Sequence, residues 1–375
     1  MEKLLVNQEA LHYFDRMNKI YYIIIAVALL CFTNNKDCNA QDIHYSHITF
    51  TPIYTNPAFT GYFDGNVRLS ADYRNQFFTI LGGSSFQTYS GSADFSIPVG
   101  IYGKDFAGAG VYAFHDRVGK PEDGGQFITT SIGLSGSYSK ALANNGDHAI
   151  TIGLSGSFLQ RRFEGDALFF GDQFNPNDPE NPLPSFPGSN LEDGLSYINF
   201  DFSIGLIYLG KLSKKTTLYT GFSIAHLLQP RWAFLDANEA KLPIRYAGQL
   251  GFNLNLNKRL ELAPFAFYQH QGKIGELVLG NLIDYRIVQS KGFETDLLFG
   301  TYFRTLSSPI KPFSFESFII LLGIDYTDLR MAFSYDAQFG GLRDIAKTNS
   351  AFEVSLTYTM DFIKSKSITR ICPSF

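Results

Sequence analysis

In segment after segment of this chain, from Val67 to Phe362, every second side chain is apolar and uncharged. Two copies of the pattern stand close together, SIGLSGSYS at 131–139 and TIGLSGSFL at 151–159. Successive side chains of an extended strand point to opposite faces. Ile128, Thr130, Ile132, Leu134, Gly136 and Tyr138 therefore share one face, and Thr129, Ser131, Gly133, Ser135, Ser137 and Ser139 share the other. Ile150, Ile152, Leu154, Gly156 and Phe158 repeat the apolar face. The turn-rich stretch ALANNGDH (141–148) lies between the copies, which makes them one antiparallel hairpin.

The period runs on to the C-terminal region. Ile198, Phe200, Phe202, Ile204, Leu206 and Tyr208 alternate with Asn199, Asp201, Ser203 and Gly205, and Phe352, Val354, Leu356, Tyr358, Met360 and Phe362 alternate with Glu353, Ser355, Thr357, Thr359 and Asp361. Val67, Leu69, Ala71 and Tyr73 interleave with Arg68, Ser70, Asp72 and Arg74. No charge falls on the apolar face of these strands, while the opposite face carries both signs. A Lys or Arg facing mid-bilayer lipid costs about 2–4 kcal/mol, and that face avoids the cost.

Fourteen such segments are legible, near 66–75, 86–98, 106–115, 127–140, 149–160, 196–210, 215–227, 244–256, 259–270, 275–288, 291–304, 317–327, 328–338 and 350–362. Alternation is least clean over 275–304. Long connections such as NQFFTILGGSS, DRVGKPEDGGQ, 161–195, LQPRWAFLDANEAKLP and FGGLRDIAKTN contrast with the short KLSKK, Asn257-Lys258, QSKG and Thr327-Asp328. An even number of strands with loops of unequal length at the two ends is the pattern of a transmembrane antiparallel β-barrel. Lipid offers no partner to an unpaired N–H or C=O, so the sheet must close. A secreted β-sandwich also alternates, but the Ser/Gly/Thr/Asn face would be a poor solvent face and suits a wet lumen. Aromatic residues at strand ends (Tyr73, Tyr138, Phe158, Tyr208, Tyr335, Phe362) also favour the barrel.

The run IYYIIIAVALLCF (20–32) is too short to span a bilayer as a helix. Lys19 precedes it and Cys38-Asn39-Ala40 follows, the layout of a cleaved secretory signal. Glu2, Glu9 and Asp15 fit no signal n-region, which points to Met17 as the true start. Cys31 and Cys38 leave with the signal and only Cys372 remains, which excludes a disulfide framework.

A net charge of −4 with no basic run gives no electrostatic footprint for nucleic acid. The chain contains no P-loop, dinucleotide fingerprint, HExxH or CxxC, so neither an enzyme nor a cofactor is indicated. His44 and His47 are spaced i, i+3 but have no acidic cluster beside them in sequence, so no metal site is assigned. Ser223 and His226 fall on opposite faces of a strand, which argues against a hydrolytic dyad. The loop RRFEGDALFFGDQFNPNDPENPLPSFPGSN carries Glu164, Asp166, Asp172, Asp178 and Glu180 at a spacing that matches no EF-hand, so it reads as a solvated surface. Its aromatics, Phe169, Phe170 and Phe174 among them, are candidate partner contacts. Trp232, the single tryptophan, lies in another long loop and joins them.

At 44–77 the chain reads HYSHITFTPIYTNPAFTGYFDGNVRLSADYRNQF. This stretch resembles the PorP/SprF family of type IX secretion system outer-membrane proteins. The residues that carry the likeness are Pro52, Asn56-Pro57-Ala58, Gly61 and Tyr73-Arg74-Asn75-Gln76. SGSADFSIP (90–98), FSIAHLLQP (222–230) and the terminal Cys372, Pro373 and Phe375 add to it. Phe77 stands where the family often has Trp. The resemblance implies an outer-membrane barrel that works with type IX machinery in the periplasm and outer membrane. It also implies support for secretion or surface attachment of partner proteins, in some cases gliding adhesins, without a catalytic constellation.

The expected organisation is an upstream segment and signal peptide (1–40), a periplasmic N-terminal segment (41–65), an outer-membrane β-barrel (66–362) and a periplasmic C-terminal tail (363–375). Membrane lipid would surround the barrel, and a secreted surface protein or adhesin would meet the long loops. The pre-barrel segment and the basic tail Lys364, Lys366 and Arg370 would meet the periplasmic machinery; the alternative for Asn56-Pro57-Ala58 is an N-terminal plug or turn with purely structural work. A passive porin or small-molecule transporter is the competing reading, and it requires an open polar lumen.

Overall fold

The computed structural model describes residues 42–99, 105–120, 125–143, 146–164, 195–232, 241–290, 293–309, 311–339 and 350–361. Its strands are β1 (Val67–Gln76), β2 (Phe86–Val99), β3 (Asp105–Lys120), β4 (Gly125–Ala141), β5 (His148–Glu164), β6 (Leu195–Ser213) and β7 (Thr216–Ala225). They continue as β8 (Arg245–Asn255), β9 (Leu260–Gln271), β10 (Ile274–Ser290), β11 (Phe293–Ser307), β12 (Ser314–Tyr326), β13 (Leu329–Gln338) and β14 (Ser350–Met360). Each strand pairs with its sequence neighbours, and β1 closes on β14, giving a closed 14-stranded barrel. The closure is antiparallel, from Val67 opposite Met360 to Gln76 opposite Ala351. No edge is left, as a sheet in hydrocarbon requires.

The repeated stretches do form one hairpin: Ile132 faces Phe158 and Ser135 faces Ser155 across β4 and β5. Leu134 and Ile198 are each 67% exposed, whereas Ser131 is 2% and Thr151 0% exposed. The apolar set thus forms the outer belt, and the small polar set lines the inside. Lys140, on the outer face, sits near a strand end and pairs with Asp105 at 2.6 Å. That places the pair at the headgroup rim. Several strands outrun the roughly 9–11 residues needed to cross the hydrocarbon core, and β6, at 19 residues, is the longest.

One end of the barrel carries the start of β1, the end of β14 and connections such as Lys214-Lys215 and Thr327-Asp328. The other, the loop end, carries 77–85, the end of β5, the start of β6, 226–232, 241–244 and the end of β13, but also the tight turn Gly272-Lys273.

The chief departure from the sequence reading concerns residues 42–65. They were expected ahead of the barrel and instead occupy its lumen. Ile48, Phe50, Ala58, Phe59 and Tyr62 join inward-facing Ile207, Leu209, Phe265, Phe267, Val278, Leu282, Leu298, Tyr302, Ile319 and Leu321 in one buried core. This core explains the weak alternation over 275–304, where strands that face lipid outside and a plug inside are apolar on both faces. The expected wet lumen is, over the described residues, a filled one.

Candidate functional site: the plugged lumen

The plug begins as an extended stretch and turns at Pro52. A proline at the first helical position loses no hydrogen bond, and Pro52–Thr55 forms one helical turn. Pro57–Phe59 follows as a 3-10 turn whose cap is Asn56, accepting from the Ala58 N–H at 2.9 Å. The Asn56 amide also donates to the Leu206 and Phe222 carbonyls, both at 3.3 Å, which ties the turn to β6 and β7. The Thr55 carbonyl accepts from Ser223 Oγ at 2.7 Å.

The wall is thinned where this turn lies. A Cβ on Gly205 would overlap Asn56 Oδ1, one on Gly153 would overlap the Pro57–Ala58 peptide, and one on Gly108 would overlap the Thr60 carbonyl. Thr60 Oγ1 and Ser135 Oγ lie 2.6 Å apart, and Ser137 donates to the Thr60 carbonyl at 2.6 Å. Gly61, at φ +70°, passes within a Cβ radius of Gly108 and donates its N–H to Asp94 at 2.7 Å. Arg68 grips the same Asp94 through Nε at 3.0 Å and Nη2 at 2.8 Å, and its Nη2 also donates to the Phe59 carbonyl at 3.2 Å.

The leading part of the plug is held by charge. Asp42 pairs with Arg245 at 2.7 Å and His226 at 3.0 Å, and His226 reaches Asp201 at 2.7 Å through its other nitrogen. Burial opposes the Asp42 charge, but Arg245 and His226 prevail and hold its carboxyl below the usual range. Burial likewise opposes charging of His44 and His226; Glu276, 2.7 Å from His44, and Asp42 beside His226 override it and raise both imidazoles. Ser46 and His47 donate their backbone N–H groups to the two Glu353 oxygens at 2.7 Å each. Arg74 bridges Glu353 and Asp336 at 3.0 Å each and donates to Ser46 Oγ. Arg304 closes the ring, reaching Asp336 at 3.3 Å, Ser46 Oγ at 3.0 Å and the Tyr45 carbonyl at 3.1 Å.

The structure brings together the residues that carried the family resemblance. Pro52, Asn56, Pro57 and Ala58 are buried; Gly61 donates to Asp94 of SGSADFSIP, Asn56 donates to the Phe222 carbonyl of FSIAHLLQP, and elsewhere in the plug Thr55 meets Ser223, Asp42 meets His226 and Ser46 meets Arg74. As contact residues for a periplasmic partner they are corrected: their partners are in this chain, because the pre-barrel segment packs inside. Tyr73 lies on the outer face against Tyr89 at 4.8 Å and Phe352 at 5.8 Å, and Asn75 donates to its hydroxyl. Gln76 and Trp232 line a cavity of about 280 Å³ at the loop end, beside Asp42, His44, Asp116 and Glu316. The Trp232 ring carries the Arg161 guanidinium 3.7 Å from its centroid. Phe169, Phe170, Phe174, Lys364, Lys366, Arg370, Cys372, Pro373 and Phe375 lie outside the described residues. At the end with the short turns, a cavity of about 510 Å³ is lined by Asp64, Glu261, Asp284, Glu294, Asp296, Asp325, Asp328 and Asp361 against Arg68, Arg286 and Arg330.

Glu353, Asp336, Arg304, Glu276 and Asp94 were not singled out from sequence. The available signal was a lone charge inside an apolar strand, as in FEVSL, SYDAQ and YFRTL. Such a charge must face inward and find a partner.

Among solved structures, a FadL homologue from Pseudomonas aeruginosa is similar over 82% of this chain and 94% of its own, at 12% identity and TM-score 0.49. The Ralstonia pickettii toluene transporter TbuX is similar over 82% and 93%, at 9% identity and TM-score 0.43. CdiB from Acinetobacter baumannii is similar over 79% and 60%, at 11% identity and TM-score 0.43. No curated protein matches the chain. Residues 37–358 match the model of the type IX secretion system membrane protein family PorP/SprF. That match takes in the plug, the glycines that receive it and every strand of an outer-membrane barrel, and so the chain belongs to the PorP/SprF family of type IX secretion system membrane proteins.

Proposed function

We propose that this barrel is a non-enzymatic component of type IX secretion that supports secretion or surface attachment of a partner protein through its two ends rather than its lumen. The observation that carries the reading is the filled lumen. Asn56, Thr60 and Gly61 are bonded into the wall on one side, and Ser46 and His47 on the other. A passive porin needs an open polar lumen, and this one is occupied by the chain's own residues 42–65.

In this reading the short-turn end faces the periplasm and the long loops face outward, as is general for outer-membrane barrels. The 165–194 loop, with Phe169, Phe170 and Phe174, meets the exported protein, an adhesin in the gliding case, and the basic tail meets the periplasmic machinery. A signal peptide within 1–40 brings the chain to the membrane. The test is the surface proteome of a deletion strain against its parent. Loss of one or a few specific surface proteins, restored by complementation, is expected; an unchanged profile rejects the proposal.

A further inference from the structure

The seam where the barrel closes holds a group that its surroundings do not balance. Asp72 of β1 is 6% exposed. Its Oδ2 accepts from the Ser355 hydroxyl, and its Oδ1 has no hydrogen-bond partner. Among the described residues no guanidinium or ammonium comes within ion-pair distance of it, since the nearby Arg74 is spent on Glu353 and Asp336. A buried carboxylate without a counter-charge must be neutralised by a proton, paired, or set on a metal.

Two further donors converge on it from different parts of the molecule. His47 belongs to the plug and is fully buried, with Nδ1 3.9 Å from Asp72 Oδ2 and 3.7 Å from Glu353 Oε1. Glu353 belongs to β14, so the three ligand atoms, all within 4.8 Å of one another, come from the plug and from both strands of the closing seam. Tetrahedral zinc with bonds of about 2.0–2.2 Å sets its ligand atoms roughly 3.3–3.6 Å apart. His47 Nδ1 needs to move only a few tenths of an ångström toward each carboxylate, and all three atoms already lie within 4.8 Å of one another. Ser355 Oγ hydrogen-bonds both His47 Nδ1 and Asp72 and would release those contacts when the ion takes the same lone pairs.

We infer that His47, Asp72 and Glu353 bind one divalent first-row transition ion, zinc by its donor set, which pins the plug to the β1–β14 seam. One imidazole with two carboxylates suits zinc, whereas calcium takes six to eight oxygens and magnesium keeps its waters. Glu353 would serve the ion through Oε1 while Oε2 stays with Arg74. Sequence spacing could not show this site, because His47 and its carboxylates are brought together only when the barrel closes around the plug. The inference rests on the seam geometry and not on the secretion reading, so either can fail alone.

The test uses the full chain, tag-free, purified in detergent, stripped with chelator and reloaded with zinc chloride. One equivalent of zinc is expected by elemental analysis, with an X-ray absorption edge showing oxygen and nitrogen ligands that include imidazole. Asp72→Asn should weaken zinc binding at least tenfold, while Asp325→Asn, in the vestibule at the short-turn end and outside the network around Glu353, should not. The absorption spectrum needs no variant, so a misfolded mutant leaves the inference open to refutation. Failure of the wild type to take up zinc, sulfur ligands at the edge, or undiminished uptake by folded Asp72→Asn would each overturn it.

Discussion

At Gly205 and Gly153 the wall of the barrel is a glycine because the plug's backbone occupies the space of a side chain. Gly205→Val should lower the urea midpoint of the detergent-solubilised barrel, at a cost of about 1–3 kcal/mol for an overpacked site. Gly248, where an added Cβ meets nothing within 4 Å, is the control, and Gly248→Ala should leave the midpoint unchanged or raise it. Arg74 is the second decisive residue, 2% exposed and shared by two buried carboxylates and Ser46. Arg74→Ala strands Glu353 and Asp336 together, and removal of one partner from a buried ion pair costs about 3–5 kcal/mol. Arg74→Lys should not rescue it, because a point charge cannot reach both carboxylates and the hydroxyl in the fork geometry of a guanidinium. Equilibrium unfolding followed by Trp232 fluorescence measures both effects.

Among the elements, the plug has two attachments of different physical kind. Residues 53–63 are held by shape and hydrogen bonds in the glycine groove, Gly61 on the Asp94 carboxylate included, and the contacts named for them involve no histidine. Residues 42–44 are held by ion pairs, and these do. His44 and His226 are raised above the ordinary histidine value, chiefly by Glu276 and Asp42 in opposition to burial. Their contribution is therefore complete below about pH 6.5 and is lost as pH rises through the raised values. Asp42 is depressed, so its contribution is present above the ordinary carboxylate range and is lost only in strong acid. Arg245, Asp201, Arg304 and Glu316 also face these groups. Hydrogen exchange at 42–45, corrected for the intrinsic pH dependence, should lose protection as pH rises above the ordinary histidine value while 56–61 keeps it. Equal loss in both stretches would mean that the plug is one cooperative unit.

For the whole molecule, the plug converts a barrel wide enough for a channel into a packed body with cavities at its two ends. Planar bilayers containing the wild-type protein should show no sustained porin-like conductance. A chain lacking 42–65 should either conduct or fail to fold, since its removal exposes Val278, Leu298 and Ile319 to water and takes from Glu353 and Asp336 the hydrogen bonds of Ser46 and His47. Steady conductance by the intact chain would overturn the filled-lumen reading. What remains accessible for a partner is the loop end, with Trp232 and the 280 Å³ cavity, and the acidic vestibule of about 510 Å³ at the other end.

Strand number, strand positions, closure and the lipid-facing belt were all legible in the chain alone, because hydrocarbon imposes a two-residue rule that each strand must obey locally. Ile198 through Tyr208 announce their outward face whatever the rest of the molecule does. The lumen obeys no such rule. Whether Asp72, Glu353 or Asp94 faces water, a cation or a backbone N–H depends on which segment fills the barrel, and that segment lies hundreds of residues from some of its contacts, as Ser46 does from Glu353. The motif Asn56-Pro57-Ala58 showed in sequence as a rigid segment, open to a periplasmic contact or to a plug or turn with purely structural work. Its meaning, a turn seated against Gly153 and Gly205, emerged once closure of the sheet had placed β5 and β6 around it. The outer face answers to a solvent, which is the same for every strand; the inner face answers to a partner, which only the tertiary structure supplies.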